Sequence, residues 1–281
     1  MKIPIPFYNS TLYLLSLMMA LVCFFGCDSR QDRMWRRLAY SEASPLQQVL
    51  HANLDAIGGR ATWQGIEAVD AEVVATLFET DRSRTLVDMS QVLTFDPYPS
   101  LTLDCRLPTG DWIERLDSNG GVSVDAAKDN PAPEEEIETV YGAGLKLRLL
   151  IQALTQSVGL LNDEWTLGYL GQERKGGRLS HKVEVSGLMI RAAHDKDAVG
   201  QMNRLVIWFD ADTNLIDRLW LQYDKGPRDQ TGYIAANVGQ YKKQSNGVVL
   251  PTYIGVVRSD AFQQFSEQEI LRLEYQKLRF R

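Results

Sequence analysis

Turn signals recur at short intervals along most of this chain, and they constrain its fold more than any other feature. Asp210-Ala211-Asp212-Thr213-Asn214 separates the apolar runs 205–209 and 215–223, and Ser245-Asn246-Gly247 separates 233–241 from 248–258. Asn-Gly between alternating apolar residues is the strongest short-range hairpin signal, because its left-handed backbone matches the twist of paired strands. Lys175-Gly176-Gly177 plays the same part between 165–173 and 182–185. Pro108-Thr109-Gly110-Asp111 and Asn119-Gly120-Gly121 punctuate the runs 85–95, 101–107 and 112–116. Within the runs the period is two: Val69, Ala71, Val73, Ala75 and Leu77 share one face, with Asp70, Glu72 and Thr76 on the other. Strands joined by loops this short pair with their neighbours, antiparallel. The last run alternates through Leu271, Leu273 and Tyr275, then loses phase at Leu278 and Phe280, which predicts a bulge.

Two helices interrupt the strands. Ser44 can cap the first, Pro45 suits its first position, and Gln47 completes a capping box. Leu46, Val49, Leu50, Leu54 and Ile57 then form one apolar stripe, and Gly58-Gly59 stops the helix. The second helix, residues 141–161, has one stripe of Leu147, Leu150, Ile151, Leu154, Val158 and Leu161. Leu145, Leu149, Ala153 and Leu160 lie nearly opposite. A helix apolar on two sides is enclosed, either by core or by a hollow that a ligand also uses. The acidic run 128–138 before it (KDNPAPEEEIE) reads as an exposed loop or lid whose charge favours the helix N-terminus. About ten strands and two helices without a composition break, at 44% apolar and 23% charged residues, describe one globular α+β domain over residues 44–281.

Several strands are apolar on both faces, as in Val73-Val74, Val206-Ile207-Trp208-Phe209 and Val248-Val249-Leu250. One face of such a sheet packs on helices while the other is covered or greasy. Leu150, Leu154, Trp208 and Trp220 are the candidate apolar lining of a ligand hollow.

The N-terminus gives an address. Lys2 precedes an uncharged run, residues 12–26, which ends at Gly26-Cys27 and gives way to Asp28-Ser29-Arg30. That run has the length of an export signal rather than of a membrane span. Residues 1–26 resemble a bacterial lipoprotein signal, in which a small residue precedes a cysteine that receives lipid; Cys27 is then the lipidation site and 27–43 a tether. Phe24 and Phe25 depart from that pattern, and Arg30, Arg33, Arg36 and Arg37 fit the competing reading of an uncleaved anchor helix, since such clusters stay cytoplasmic.

Visible chemistry is sparse. The three histidines, His51, His181 and His194, form no zinc motif, and neither a nucleophile elbow nor a phosphate-binding loop occurs. Cys105, the one cysteine of the body, suits a buried strand thiol. No catalytic residue, metal or cofactor is assigned, although a cleft assembled from distant carboxylates stays open. A formal charge of -6 argues against nucleic acid as a partner.

Three phrases carry a family resemblance: the helix ending in Ile57-Gly58-Gly59 with Trp63 and Ile66 following, Ile207-Trp208-Phe209-Asp210 leading to Thr213-Asn214-Leu215-Ile216, and Tyr241 before Asn246-Gly247-Val248-Val249-Leu250-Pro251. In this the chain resembles the periplasmic lipoprotein carriers and receptors, the LolA/LolB-like proteins, from about residue 46 to 281. The resemblance implies one large antiparallel sheet, curved into an unclosed barrel with helices in its concave side. It implies a non-catalytic monomer binding lipid, an acyl chain or an acylated protein, on the periplasmic side of the envelope, with the inner membrane favoured by Asp28. Soluble carriers lack the anchor expected at Cys27, so a fixed receptor fits better than a shuttle. An envelope sensor or scaffold that binds a protein partner through the same fold is the alternative.

Overall fold

The computed structural model describes residues 44–78, 84–95, 99–107, 110–117, 121–126, 136–161, 165–187, 189–192, 195–224 and 231–281. The expected leader (1–26) and tether (27–43) with Cys27, His194 and most of the acidic run lie outside these residues.

Two helices open the domain, α1 (Pro45–Ala56) and the single turn α2 (Arg60–Gln64). Ser44 caps α1, its Oγ accepting from Gln47 N at 3.2 Å. The capping box is only half formed, because Gln47 Oε1 has no hydrogen-bond partner among the described residues. Gly58 and Gly59 stop the helix at φ 116° and 81°. The Trp63 indole donates to Ile57 O at 3.1 Å and fixes α2 against the end of α1.

Among the described residues thirteen strands form one sheet. They are β1 (Ala68–Phe78), β2 (Arg84–Phe95), β3 (Pro99–Leu107), β4 (Gly110–Leu116), β5 (Gly121–Ala126), β6 (Thr166–Lys175), β7 (Arg178–Ser186), β8 (Met189–Ala192), β9 (Asp195–Asp210), β10 (Ile216–Asp224), β11 (Gly232–Lys243), β12 (Val249–Ser259) and β13 (Phe265–Phe280). Apart from β8 they run antiparallel in the order β6-β7-β9-β10-β11-β12-β13-β1-β2-β3-β4-β5. The sheet is curved into an unclosed barrel, as the family resemblance implies. The expected bulge lies at Gln276, where Glu72 pairs Lys277 and the next residue, Val73, pairs Tyr275.

The two ends of the sheet meet on one arm. β7 and β8 pair with β9 in a single register, Val185 opposite Leu205 and Met189 opposite Gln201, carried past Gly187 at φ 86°. β9 occupies one edge of that arm, so β6 and β5 share the other. β6 takes the β7 part along its whole length, and β5 takes β8 through only two parallel residue pairs.

A third helix, α3 (Glu136–Thr155), continues as a 3-10 turn (Gln156–Leu160). It begins five residues earlier than the apolar pattern alone suggests, because Glu136 to Glu138 join its first turn. α3 touches β3, β4 and β5 on one side and β10, β11 and β12 on the other, so it lies across the concave side of the half-barrel. Both of its apolar stripes are buried, and they share one core with the inward residues of the sheet, from Ala71 and Val73 to Leu271 and Leu273.

Candidate functional site

The concave side of the sheet is filled by α3 and the core it shares with the inward strand residues, and a line of buried polar residues on α3 runs through that core. Leu150 and Leu154 face this core, both buried. Trp208 and Trp220 do not. In β9, Leu205, Ile207 and Phe209 turn inward, so the alternating Val206 and Trp208 project from the opposite face. There they form a second buried cluster with Trp220, Ala235 and Val257. Trp208 is flanked by Lys182 and Arg218, at 4.9 and 5.0 Å from its ring centre, and Trp220 donates to Asp260 O at 3.0 Å. The turn between β12 and β13 covers this patch, leaving Phe262 at its tip 81% exposed.

At helical spacing Arg148, Gln152 and Thr155 make one polar line along α3, and all three are buried. Thr155 Oγ1 donates back to Ile151 O at 2.7 Å, and Gln152 Nε2 donates to Gln156 O at 2.6 Å. The line ends in a buried node that binds α3 to the rest of the fold. Gln156 sits at φ 54°, a left-handed backbone that breaks the α-helix, and its side chain makes the turn self-supporting. Its Oε1 accepts from Asn53 Nδ2 at 2.9 Å and Ile216 N at 3.1 Å, and its Nε2 donates to Ala153 O at 2.9 Å and Tyr241 OH at 2.7 Å. Asn53 closes the ring: Nδ2 also donates to Asn214 O at 2.7 Å, and Oδ1 accepts from Ser157 N at 2.9 Å. Tyr241 OH donates in turn to Ile216 O at 2.6 Å, and burial pushes its phenol well above the ordinary tyrosine range. The node therefore joins α1, the α3 break, the β9–β10 turn and β11.

Towards the other end the line is less complete. Gln152 Oε1 and Arg148 Nε are buried without hydrogen-bond partners among the described residues. The Arg148 guanidinium carbon lies 5.1 Å from the Trp165 ring centre, and burial lowers its pKa to about 10, against the opposing charge of Asp117. On another side of α3, Lys146 Nζ donates at 2.7 Å to Oε1 of Glu114, which lies on β4. Sequence periodicity draws attention to the two leucine-rich stripes and passes over Arg148. The signal lies in Leu147-Arg148-Leu149-Leu150: a helix apolar on two sides leaves its polar positions no broad face in water.

The remaining titratable candidates stay apart. His181, half-buried on β7, meets Tyr169 OH through Nδ1 at 2.9 Å, and burial lowers its pKa. Cys105 lies in β3, in register with Met89 and Trp112. Among the described residues no group of three or more His, Cys, Asp and Glu could hold a metal ion. Among the same residues no helix is long and apolar enough to cross a membrane.

No protein-family model matches the sequence, and no curated protein sequence matches it. In structure the chain is similar to a DUF1329 family protein from Desulfovibrio piger, at 14% identity and a TM-score of 0.45, covering 85% of this chain and 94% of that one. It is similar to a LolA superfamily protein from Nitrosomonas europaea, at 10% identity and a TM-score of 0.46, with the same coverage of 85% and 94%. It is also similar to an outer membrane lipoprotein-sorting protein domain from Vibrio parahaemolyticus, at 12% identity and a TM-score of 0.42, covering 84% and 93%.

Proposed function

We propose that this chain is a cell-envelope lipoprotein, anchored at Cys27 on the periplasmic side, that binds a lipid, an acyl chain or an acylated protein between α3 and the concave face of its half-barrel. The observation that carries the reading is α3 itself: apolar on two sides, it crosses the hollow of an open sheet and is fixed at its C-terminal end by the Asn53–Gln156 node. An acyl chain entering beside it would exchange one set of apolar contacts for another, at small net cost in buried area. No catalytic group is assigned, and the chain acts as a monomer.

The decisive measurement is native mass spectrometry of residues 29–281 purified from a bacterial host without detergent. The expected spectrum carries a co-purifying lipid or fatty acid that disappears in Leu154→Asp. A ligand-free mass that also refuses added lipid sinks the reading. It would favour the second one, an envelope scaffold binding a protein partner, for which the exposed Phe262 on the convex side is the supporting observation.

A further inference from the structure

Arg148 is only 5% exposed, is laid over the Trp165 ring, and has an Nε without a hydrogen-bond partner among the described residues. A buried cation short of acceptors is costly, and an apolar side chain of similar size would fill the same space without that penalty. The packing of α3 alone therefore does not account for an arginine here, whereas a ligand that brings its own oxyanion does. A guanidinium suits such a ligand, because it stays charged and its fork of N–H groups matches carboxylate or phosphate oxygens.

The position agrees. Trp165 immediately precedes β6, and Asp117, the carboxylate acting on Arg148, immediately follows β4. Arg148 thus stands beside the seam where the two ends of the sheet meet, between Asp117 at the end of β4 and Trp165 at the start of β6. A ligand lodged there would place its head at the seam and its tail against the leucines of α3. One turn along the same line, Gln152 Oε1 is also buried and has no partner among the described residues, and it can accept from a hydroxyl of the head. Asp117 is turned partly to its own loop, Oδ1 accepting from Gly121 N at 2.7 Å. The cation of Lys146 is engaged by Glu114.

We propose that Arg148 is the headgroup site of the hollow, pairing with the carboxylate or phosphate oxyanion of an amphiphile whose acyl chain lies along α3. The proposal rests on the hydrophobic-ligand reading above and specifies its ligand as anionic.

The experiment is native mass spectrometry of the full chain, released from micelles of a non-ionic detergent and titrated with oleate, with 1-oleoyl-lysophosphatidylglycerol and with the uncharged methyl oleate. The expected result is that the anionic probes bind at least roughly tenfold more tightly than the ester, as one lost charge-assisted contact implies. Whichever anion binds better identifies the head as carboxylate or phosphate. In Arg148→Met that preference disappears while methyl oleate binds as before, and the ligand-free variant melts at or above the wild-type temperature. Equal binding of acid and ester by the wild type, a preference that survives in Arg148→Met, or a variant melting several degrees lower would each overturn the assignment. Failure of all three probes to bind the wild type would instead sink the hydrophobic-ligand reading, and the headgroup site with it.

Discussion

Replacing Asn53 by alanine should destabilise the domain by about 3–5 kcal/mol, far more than a surface asparagine would. Asn53 is fully buried and makes three hydrogen bonds, to Gln156 Oε1, Asn214 O and Ser157 N. Gln156 Oε1 keeps Ile216 N as a donor after the change, so it is not orphaned. Ser157 N–H and Asn214 C=O lose the partner named for them; the buried Ser157 N–H costs about 1–3 kcal/mol when unsatisfied, and the half-buried Asn214 carbonyl about 1 kcal/mol. The void left by the missing amide adds about 1 kcal/mol. Urea unfolding at 25 °C, followed by tryptophan fluorescence, measures the sum as a lower midpoint at unchanged slope. Asn53→Asp sharpens the test. It keeps the acceptor for Ser157 N but points a second acceptor at Gln156 Oε1 and Asn214 O. Its penalty should shrink as pH falls and the buried carboxyl regains a proton to donate. A loss below about 1 kcal/mol for Asn53→Ala would refute the node as the fixed end of α3.

Burial holds Tyr241 and Tyr275 neutral well above the ordinary tyrosine range. An unfolded tyrosine ionises near pH 10, so above that pH the unfolded chain sheds protons the native state keeps, and stability falls as pH rises. Each tyrosine contributes a slope of about 1.4 kcal/mol per pH unit; urea midpoints that stay flat up to about pH 11 would contradict this. Trp208→Ala should cost about 3–5 kcal/mol by emptying the convex cluster, yet leave the lipid affinity of the folded protein unchanged. A fall in affinity would place the tryptophan in the ligand's path after all. Gly58→Ala should lower the melting temperature by several degrees, since the added methyl would lie 2.8 Å from Gly247 O on a backbone at φ 116°. An unchanged melting curve would show that the α1 end and the β11–β12 turn can part without loss.

The elements with a clean period are legible from residues alone. β1 announces itself by alternation, and β10, β11, β12 and the stretch of β9 from Leu205 to Phe209 by apolar runs set off by turn residues. β5, β8 and the first half of β9 do not. Gly121-Val122-Ser123-Val124 is short and opens within an expected turn, and Asp195-Lys196-Asp197 reads as a polar loop, yet each completes a pairing whose partner supplies the missing definition. The convex cluster is visible as residues but not as a face: Trp208 and Ile207 are neighbours in sequence and opposites in space. The node is invisible for a different reason. Glutamine is no signal for a left-handed turn, and Gln156 meets Asn53, Ile216 and Tyr241 across 103, 60 and 85 positions of chain.

The pairing of β13 with β1 sets Phe280 beside Val69, and Arg281 N donates to Ala68 O at 2.9 Å. The middle of the sheet is therefore stitched from its first strand and its last, and the first to leave the ribosome must wait for the thirteenth. Contacts this far apart in sequence delay folding until the intervening chain has been made. A shortened chain ending at residue 264 would leave β12 and β1 each with a long unpaired edge, the situation in which strands recruit other chains. Nascent chains of this architecture stay unfinished until β13 has been synthesised, so a product cut short before it cannot reach the native sheet.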